Sequence, residues 1–278
     1  MNADHPPGRL FVVSTPIGNM GDFSFRAVEV LRSAAVILAE DTRHSRALLD
    51  RYEIETRMAA YHEHNEARMT PAVIERLQKG EDVALISDAG TPLLSDPGAR
   101  LVRGAIDAGV QVVPVPGASA LLAAIVASGL DASLFTFFGF LPRKGRDRAA
   151  ALRALVDLGH TAVLYEAPAR LADTLAELAA AGAGGRAAAV AREMTKHFEE
   201  VRRGTVDVLA AYYRDAPVRG EVVLVIAGGE RARPPEEQLH ERARVLRAEG
   251  MSVRDVTATL VSEFGVARNE AYRLAREQ

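Results

Sequence analysis

The chain has 278 residues, of which 48% are hydrophobic and 26% charged, and its formal net charge at pH 7 is −3. This balance is typical of a globular protein and excludes an overall basic surface, so any nucleic-acid site must be local. The absence of cysteine excludes disulfides and thiolate chemistry and fits a reducing, cytoplasmic location. Residues 1–9 lack the features of a signal peptide, and no apolar run approaches the roughly 20 residues of a membrane span. We therefore expect a soluble protein.

The first part of the chain alternates short β-rich runs with amphipathic segments. Strands are predicted at 10–13, 35–38, 83–86 and 110–115, and helices at 25–32, 45–51, 69–78 and 99–108. Such alternation is typical of a mainly parallel sheet with helices on its faces. We expect an N-terminal α/β domain over residues 1–116.

Two small-residue loops, 14–22 and 87–98, each follow a predicted strand. Ligands of open α/β sheets bind at the carboxyl ends of strands, where glycine lets them approach the backbone. The loops therefore predict two walls of one binding cleft. Neither the dinucleotide glycine pattern nor the phosphate-binding Gly-x-x-x-x-Gly-Lys pattern is present, so a nicotinamide enzyme and an NTPase are disfavoured.

Charged residues follow the second predicted strand. Glu40, Asp41 and Arg43 lie where a helix begins, and an acid there can simply cap the helix. The alternative is that Arg43 contacts a phosphate while an acid orients a ribose hydroxyl. His62 and His64 form a His-x-His pair, but no third ligand is evident, so we expect no metal site.

The second part of the chain contains another α/β series. Strands are predicted at 135–140, 162–165, 187–191 and 222–227, and helices at 148–158, 168–181 and 206–213. We expect a second α/β domain over residues 117–230, ended by a Gly-Gly and Pro-Pro linker at 228–235. Helices predicted at 236–248, 253–264 and 268–276 form an extension over 231–278. It resembles a helix-turn-helix, although a packing or dimerisation appendage is an equal alternative.

A basic cluster lies at 143–148, within an otherwise acidic chain. It can be a solvated helix start, or Arg143, Lys144 and Arg146 can contact RNA phosphates. As an RNA contact it would contribute sequence-independent, salt-sensitive affinity.

Seven motifs in order carry a family resemblance that covers about residues 10–228. They are 15–19 (Thr-Pro-Ile-Gly-Asn), 39–43 (Ala-Glu-Asp-Thr-Arg), 87–98, 116–120 (Pro-Gly-Ala-Ser-Ala), 139–144 (Gly-Phe-Leu-Pro-Arg-Lys), 165–170 (Tyr-Glu-Ala-Pro-Ala-Arg) and 192–196 (Arg-Glu-Met-Thr-Lys). The chain resembles the ribosomal RNA small subunit methyltransferase I family, 2′-O-ribose cytidine methyltransferases of the tetrapyrrole methylase superfamily. The resemblance implies S-adenosylmethionine bound between two α/β domains, a homodimer, and a cytidine in the decoding region of 16S ribosomal RNA as acceptor. It implies no DNA or membrane partner.

The resemblance also implies site residues. The cofactor contacts by motif position are Ile17, Asp88, Leu94, Ser119, Ala120, Ala167 and Val222. A ribose hydroxyl needs a proton acceptor, for which the candidates are Glu40, Asp41, Glu166, Glu193 and a neutral Lys196. Our hypothesis is that Glu40 or Asp41 orients the ribose while Arg43 and Lys196 hold RNA phosphates. Two alternatives are a small-molecule tetrapyrrole methylase and a non-catalytic RNA-binding or assembly factor.

Overall fold

A computed structural model describes residues 6–216, 218–229 and 235–277. The predicted linker at 228–235 lies largely outside these residues. So does most of the segment 1–9, which the sequence analysis compares with a signal peptide. The described part contains two five-stranded sheets and a group of three C-terminal helices.

The first sheet is wholly parallel. Its strands are β1 (Arg9–Val13), β2 (Val36–Ala39), β3 (Met58–Ala60), β4 (Val83–Ile86) and β5 (Gln111–Val115), in the order β3-β2-β4-β1-β5. Its helices are α1 (Phe25–Ser33), α2 (Thr42–Arg51), α3 (Glu66–Gln78) and α4 (Ala99–Asp107). One apolar cluster lies on each face, so β2 and β4 are buried on both sides and contain only apolar residues. The loops after β1, β2 and β4 leave from the same edge.

The second sheet is mixed. Its strands are β6 (Phe135–Phe140), β7 (Thr161–Glu166), β8 (Ala187–Arg192), β9 (Glu200–Thr205) and β10 (Val222–Ile226), in the order β6-β7-β10-β8-β9. Only β6 and β7 pair in parallel. Helix α5 (Ala120–Ser128) packs on one face, and α6 (Gly145–Val156), α7 (Leu171–Leu178) and α8 (Val206–Asp215) pack on the other.

The predicted α/β class with a helical extension is confirmed. The mainly parallel sheet expected for the first part of the chain is confirmed. The second sheet is mixed, because β10 pairs antiparallel with β7 and β8, and β8 returns through the turn 193–199 to pair antiparallel with β9. The sequence pattern predicts neither strand β9 nor the extent of helix α5. Edge strand β9 carries Arg202 and Arg203 and lacks an apolar run, while α5 is almost entirely apolar and so lacks helical periodicity.

The C-terminal helices agree with the prediction. They are α9 (Glu236–Ala248), α10 (Val253–Phe264) and α11 (Arg268–Arg276), packed around their own apolar core. Ser252 caps α10 by accepting from the Asp255 amide at 3.2 Å, and Gly265 ends it at φ +67°. The boundaries at 116/117 and 230/231 stay predictions. No helix in the described ranges is long and apolar enough to cross a membrane.

Candidate functional site

The two small-residue loops meet at the carboxyl edge of the first sheet. Thr15 and Gly90 form an antiparallel bridge, with N to O distances of 2.9 and 3.1 Å. The Ser14 and Thr91 hydroxyls lie 3.1 Å apart. A Cβ added to Gly90 would lie 3.2 Å from the Ile17 side chain at a φ of +82°, so this close approach favours glycine. The two loops, predicted as two walls of one cleft, are therefore bonded to each other and form a single wall.

The first loop also contacts the turn between β8 and β9. The Asn19 amide donates to the Thr195 hydroxyl at 3.1 Å. A Cβ on Gly18 would lie 2.3 Å from Lys196 Cγ, so the lysine stem crosses the loop where glycine leaves room. Glu193 and Thr195 have positive φ values of 51° and 67°, a strained backbone of the kind found at functional sites. The two halves of the molecule thus touch beside the cleft.

An inner cavity of about 470 Å³ lies between the two sheets. Its lining includes every predicted cofactor-binding residue except Ser119, namely Ile17, Asp88, Leu94, Ala120, Ala167 and Val222. Ser119 lies next to it and caps α5, where its hydroxyl accepts from the Leu122 amide at 3.4 Å. The structure therefore brings residues from four distant motifs, together with Val222, to one cavity.

An outer cavity of about 450 Å³ adjoins the inner one and shares Ile17, Asp88, Ala89 and Glu221 with it. Its remaining lining comes from the two loops, from the start of α2 and from the β8–β9 turn: Pro16, Gly18, Met20, Arg43, His44, Ser45, Ala47, Leu48, Ser87 and Lys196. Two adjoining cavities can hold two reactants side by side.

The sequence matches the model of the tetrapyrrole (corrin/porphyrin) methylases over residues 9–210. Three relatives named ribosomal RNA small subunit methyltransferase I cover almost all of it. The Synechocystis sp. protein is 42% identical over 97% of this chain and 98% of its own length, and the Pseudomonas aeruginosa protein is 45% identical over 98% of both. The Escherichia coli O157:H7 protein is 39% identical over 100% of this chain and 98% of its own. The chain belongs to the ribosomal RNA small subunit methyltransferase I family.

More distant solved structures share the family's fold. Uroporphyrin-III C-methyltransferase from Thermus thermophilus is 20% identical, with a TM-score of 0.56 over 79% of this chain and 94% of that one. Another structure of the Thermus thermophilus enzyme, 19% identical with a TM-score of 0.56 over 79% and 97%, is a complex with S-adenosylhomocysteine. Diphthine synthase is 15% identical, with a TM-score of 0.61 over 79% and 89%.

Five carboxyl groups of this family member line the inner cavity: Glu40, Asp88, Asp96, Glu166 and Glu221. Burial, supported by the charge of Asp88, raises the pKa of Asp96 to about 6 despite a hydrogen bond with Ser87. Burial also raises the pKa of Glu40, and the charges of Asp96, Asp88 and Glu63 add to this shift. The sequence analysis missed Asp96, although it lies in the second loop as an acid directly before Pro-Gly.

Asp41 and Arg43 lie outside the inner cavity. The Asp41 carboxylate caps α2 by accepting from the Arg43 amide at 2.8 Å, and the Arg43 guanidinium lies 3.4 Å from its other oxygen. These hydrogen bonds, first from the Arg43 amide and then from its side chain, lower the pKa of Asp41. The Arg43 side chain is 91% exposed at the rim of the outer cavity. Asp41 therefore has a capping role, and Arg43 is free to meet a ligand.

Lys196 is held between two carboxylates, with Nζ 2.8 Å from Glu193 and 3.0 Å from Glu221. Although burial opposes the charge, these two hydrogen bonds raise the pKa of Lys196 on balance. The same lysine hydrogen bond lowers the pKa of Glu193. A neutral Lys196 is therefore disfavoured as a base. The geometry indicates that Lys196 holds the first loop in place and does not bind an RNA phosphate.

The basic cluster lies away from both cavities, at the start of α6. Arg143, Lys144 and Arg146 are exposed, and Lys144 takes the N-cap position without a side-chain capping bond. Arg148, by contrast, is buried and points inward. It donates to Glu177 at 2.8 Å, to the Thr174 hydroxyl at 2.9 Å and to the Pro142 carbonyl at 3.1 Å.

Glu166 ends β7 with a fully buried side chain. One of its oxygens accepts from the Ala167 amide at 2.8 Å and pairs with Arg170, and the other accepts from the Thr174 hydroxyl at 2.6 Å. Both oxygens are thus occupied, which disfavours Glu166 as the proton acceptor. Among the residues that the structure describes, no group of His, Cys, Asp or Glu side chains could hold a metal ion.

Proposed function

We propose that this chain uses S-adenosylmethionine to methylate the ribose 2′-hydroxyl of a cytidine in the decoding region of 16S ribosomal RNA, in the cytoplasm. The observation that carries the proposal is the meeting of the family's motifs at the two adjoining cavities. The relatives named ribosomal RNA small subunit methyltransferase I support rRNA methylation as the reaction. The 2′-hydroxyl and the cytidine rest on the motif resemblance.

The inner cavity fits the cofactor. Its volume of about 470 Å³ lies within the range of roughly 300–1,000 Å³ common for small-molecule sites. The residues that would hold the cofactor are Ile17, Asp88, Leu94, Ser119, Ala120, Ala167 and Val222. The carboxylates match a ligand that carries a sulfonium and an ammonium, and the loops offer backbone groups at Gly90. When bound, the cofactor supplies a methyl group already activated by its positive sulfur.

The protein then has to align the ribose oxygen and accept its proton. The oxygen forms a bond to the methyl carbon, the carbon–sulfur bond breaks with its electron pair on sulfur, and the hydroxyl proton passes to a carboxylate. We assign this role to the pair Glu40 and Asp96, which line the inner cavity. With a pKa of about 6, Asp96 is ionised at neutral pH and is more basic than an ordinary aspartate.

RNA phosphates have two basic surfaces to contact. Arg43 extends from the rim of the outer cavity, and its planar fork suits phosphate oxygens. The cluster Arg143, Lys144 and Arg146 surrounds the start of α6, whose first amides have no side-chain cap. Positive side chains and free helix-start amides both favour phosphate. This second surface would contribute affinity without sequence preference.

We further propose that the chain forms a homodimer through α5. Leu122 and Val126 lie one turn apart on its outer face and are 53% and 83% exposed, and nearby in sequence Leu134 is 60% exposed. Neighbouring apolar side chains with this exposure mark an interaction surface. A second copy can cover the same face by two-fold symmetry.

The test measures cofactor binding by calorimetry and transfer of labelled methyl to small subunits and to naked 16S rRNA. Glu40→Gln and Asp96→Asn should each lower kcat at least about 100-fold, the lower end of general-base contributions. Asp50→Asn is the matched control, because Asp50 is an exposed carboxylate on α2. A wild-type protein that binds RNA but no S-adenosylmethionine would favour the alternative of a non-catalytic RNA-binding factor.

A further inference from the structure

The outer cavity contains a buried hydroxyl group without a partner. Ser45, in the first turns of α2, is 3% exposed and lines this cavity. Within the described part of the chain its Oγ has no hydrogen-bond partner. A buried polar atom that stays unpaired is costly and needs an explanation, and a ligand that completes the pairing is one.

The rest of the lining indicates the chemistry of that ligand. The Arg43 cation lies at the exposed rim, whereas the neutral Ser45 hydroxyl lies in the buried part. Ile17 and Met20 offer apolar contact. The Lys196 charge is already balanced by Glu193 and Glu221, so this wall has no unpaired cation for an anion. The buried part therefore suits a neutral group with an apolar face and a polar edge.

We propose that the outer cavity takes the base of the target nucleotide, turned out of the RNA strand, with Ser45 Oγ hydrogen-bonded to its polar edge. This rests on the function proposed above and adds the site of the base. When the base lies in the outer cavity, the ribose of the same nucleotide faces the inner cavity, because the two cavities share Ile17 and Asp88 in their walls. Arg43 then faces the flanking phosphate.

We expect Ser45→Ala to lower activity without lowering stability. It removes an unpaired buried hydroxyl, so the free protein should be as stable as wild type or more stable. Its kcat/KM for RNA should nevertheless fall about tenfold, the effect of one lost hydrogen bond, with cofactor affinity unchanged. Ser128→Ala is the matched control. Ser128 is equally buried at 3% exposure, but its hydroxyl donates to the Ile125 carbonyl and accepts from the Leu130 amide. This variant should be less stable with unchanged kcat/KM.

A double-mutant cycle separates a base contact from any other effect. Small subunits are reconstituted with 16S rRNA carrying either cytidine or an abasic ribose at the target position. We expect Ser45→Ala to cost about tenfold with the cytidine substrate and almost nothing with the abasic one. An equal cost with both substrates, or no cost with either, would overturn the proposal. Failure of the proposed function can be told apart from failure of the base contact, because wild-type protein would then transfer no methyl group to the cytidine substrate.

Discussion

Thr174 lies at the centre of a buried polar network, and replacing it with valine tests what this network contributes. The residue is 0% exposed. Its hydroxyl donates to the Glu166 carboxylate at 2.6 Å and accepts from the Arg148 guanidinium at 2.9 Å. Valine keeps the shape and removes both hydrogen bonds. Because Arg148 also holds the Pro142 carbonyl, the network joins the basic cluster's loop to the Ala167 turn of the inner cavity.

The magnitude follows from the two lost bonds. A hydrogen bond to a charged group contributes about 1.5–3 kcal/mol. Glu166 keeps Arg170 and the Ala167 amide, and Arg148 keeps Glu177, so the lower end applies to each bond. We expect Thr174→Val to lower the free energy of unfolding by about 3 kcal/mol.

The assay is urea unfolding followed by circular dichroism, with Thr174→Ser as the control. Serine keeps the hydroxyl and loses one methyl group, which costs about 1 kcal/mol. The Thr174→Val variant should also have a raised KM for S-adenosylmethionine that Thr174→Ser restores, since Glu166 holds the Ala167 amide. A free energy of unfolding for Thr174→Val within about 1 kcal/mol of wild type, or an equal loss in both variants, would show that the two hydrogen bonds do not stabilise the fold.

Three further predictions concern charge and exposed apolar surface. Replacing Arg143, Lys144 and Arg146 with glutamine should weaken RNA binding and make it less dependent on salt. For single-stranded RNA, the slope of log affinity against log salt concentration should become shallower by roughly 0.7 for each phosphate contact that is lost. An unchanged slope argues against this surface. Val126→Asp should convert a dimer to monomers in sedimentation experiments, and a dimer that persists excludes the α5 face. Because burial raises the pKa of Asp96 from 3.8 to about 6, the native state binds the proton more tightly, and stability falls as pH rises through this interval. Asp96→Asn should remove that fall in urea unfolding between pH 4 and 8, whereas an unaltered pH dependence contradicts it.

Much of the fold could be predicted because its signals are local. The apolar runs of β4 and β10, and the capping serine of α10, follow from neighbouring residues. Edge strand β9 and the extent of helix α5 could not be predicted, because tertiary pairing and burial specify them and neither has the expected period. The predicted cofactor-binding residues came from the order of the motifs, and all of them except Ser119 line the inner cavity. The environments of Asp96 and Ser45 depend on contacts distant in sequence, so no local pattern marks them.

We propose that the two adjoining cavities hold S-adenosylmethionine and one nucleotide of 16S rRNA, so that a methyl group passes to a single ribose. The most direct measurement is mass mapping of 16S rRNA from small subunits incubated with the protein and isotopically labelled S-adenosylmethionine. We predict one labelled methyl group on the ribose of a single cytidine in the decoding region, absent when Asp96→Asn replaces the wild type. Label on a base, on a nucleotide outside the decoding region, or on no nucleotide would contradict the account.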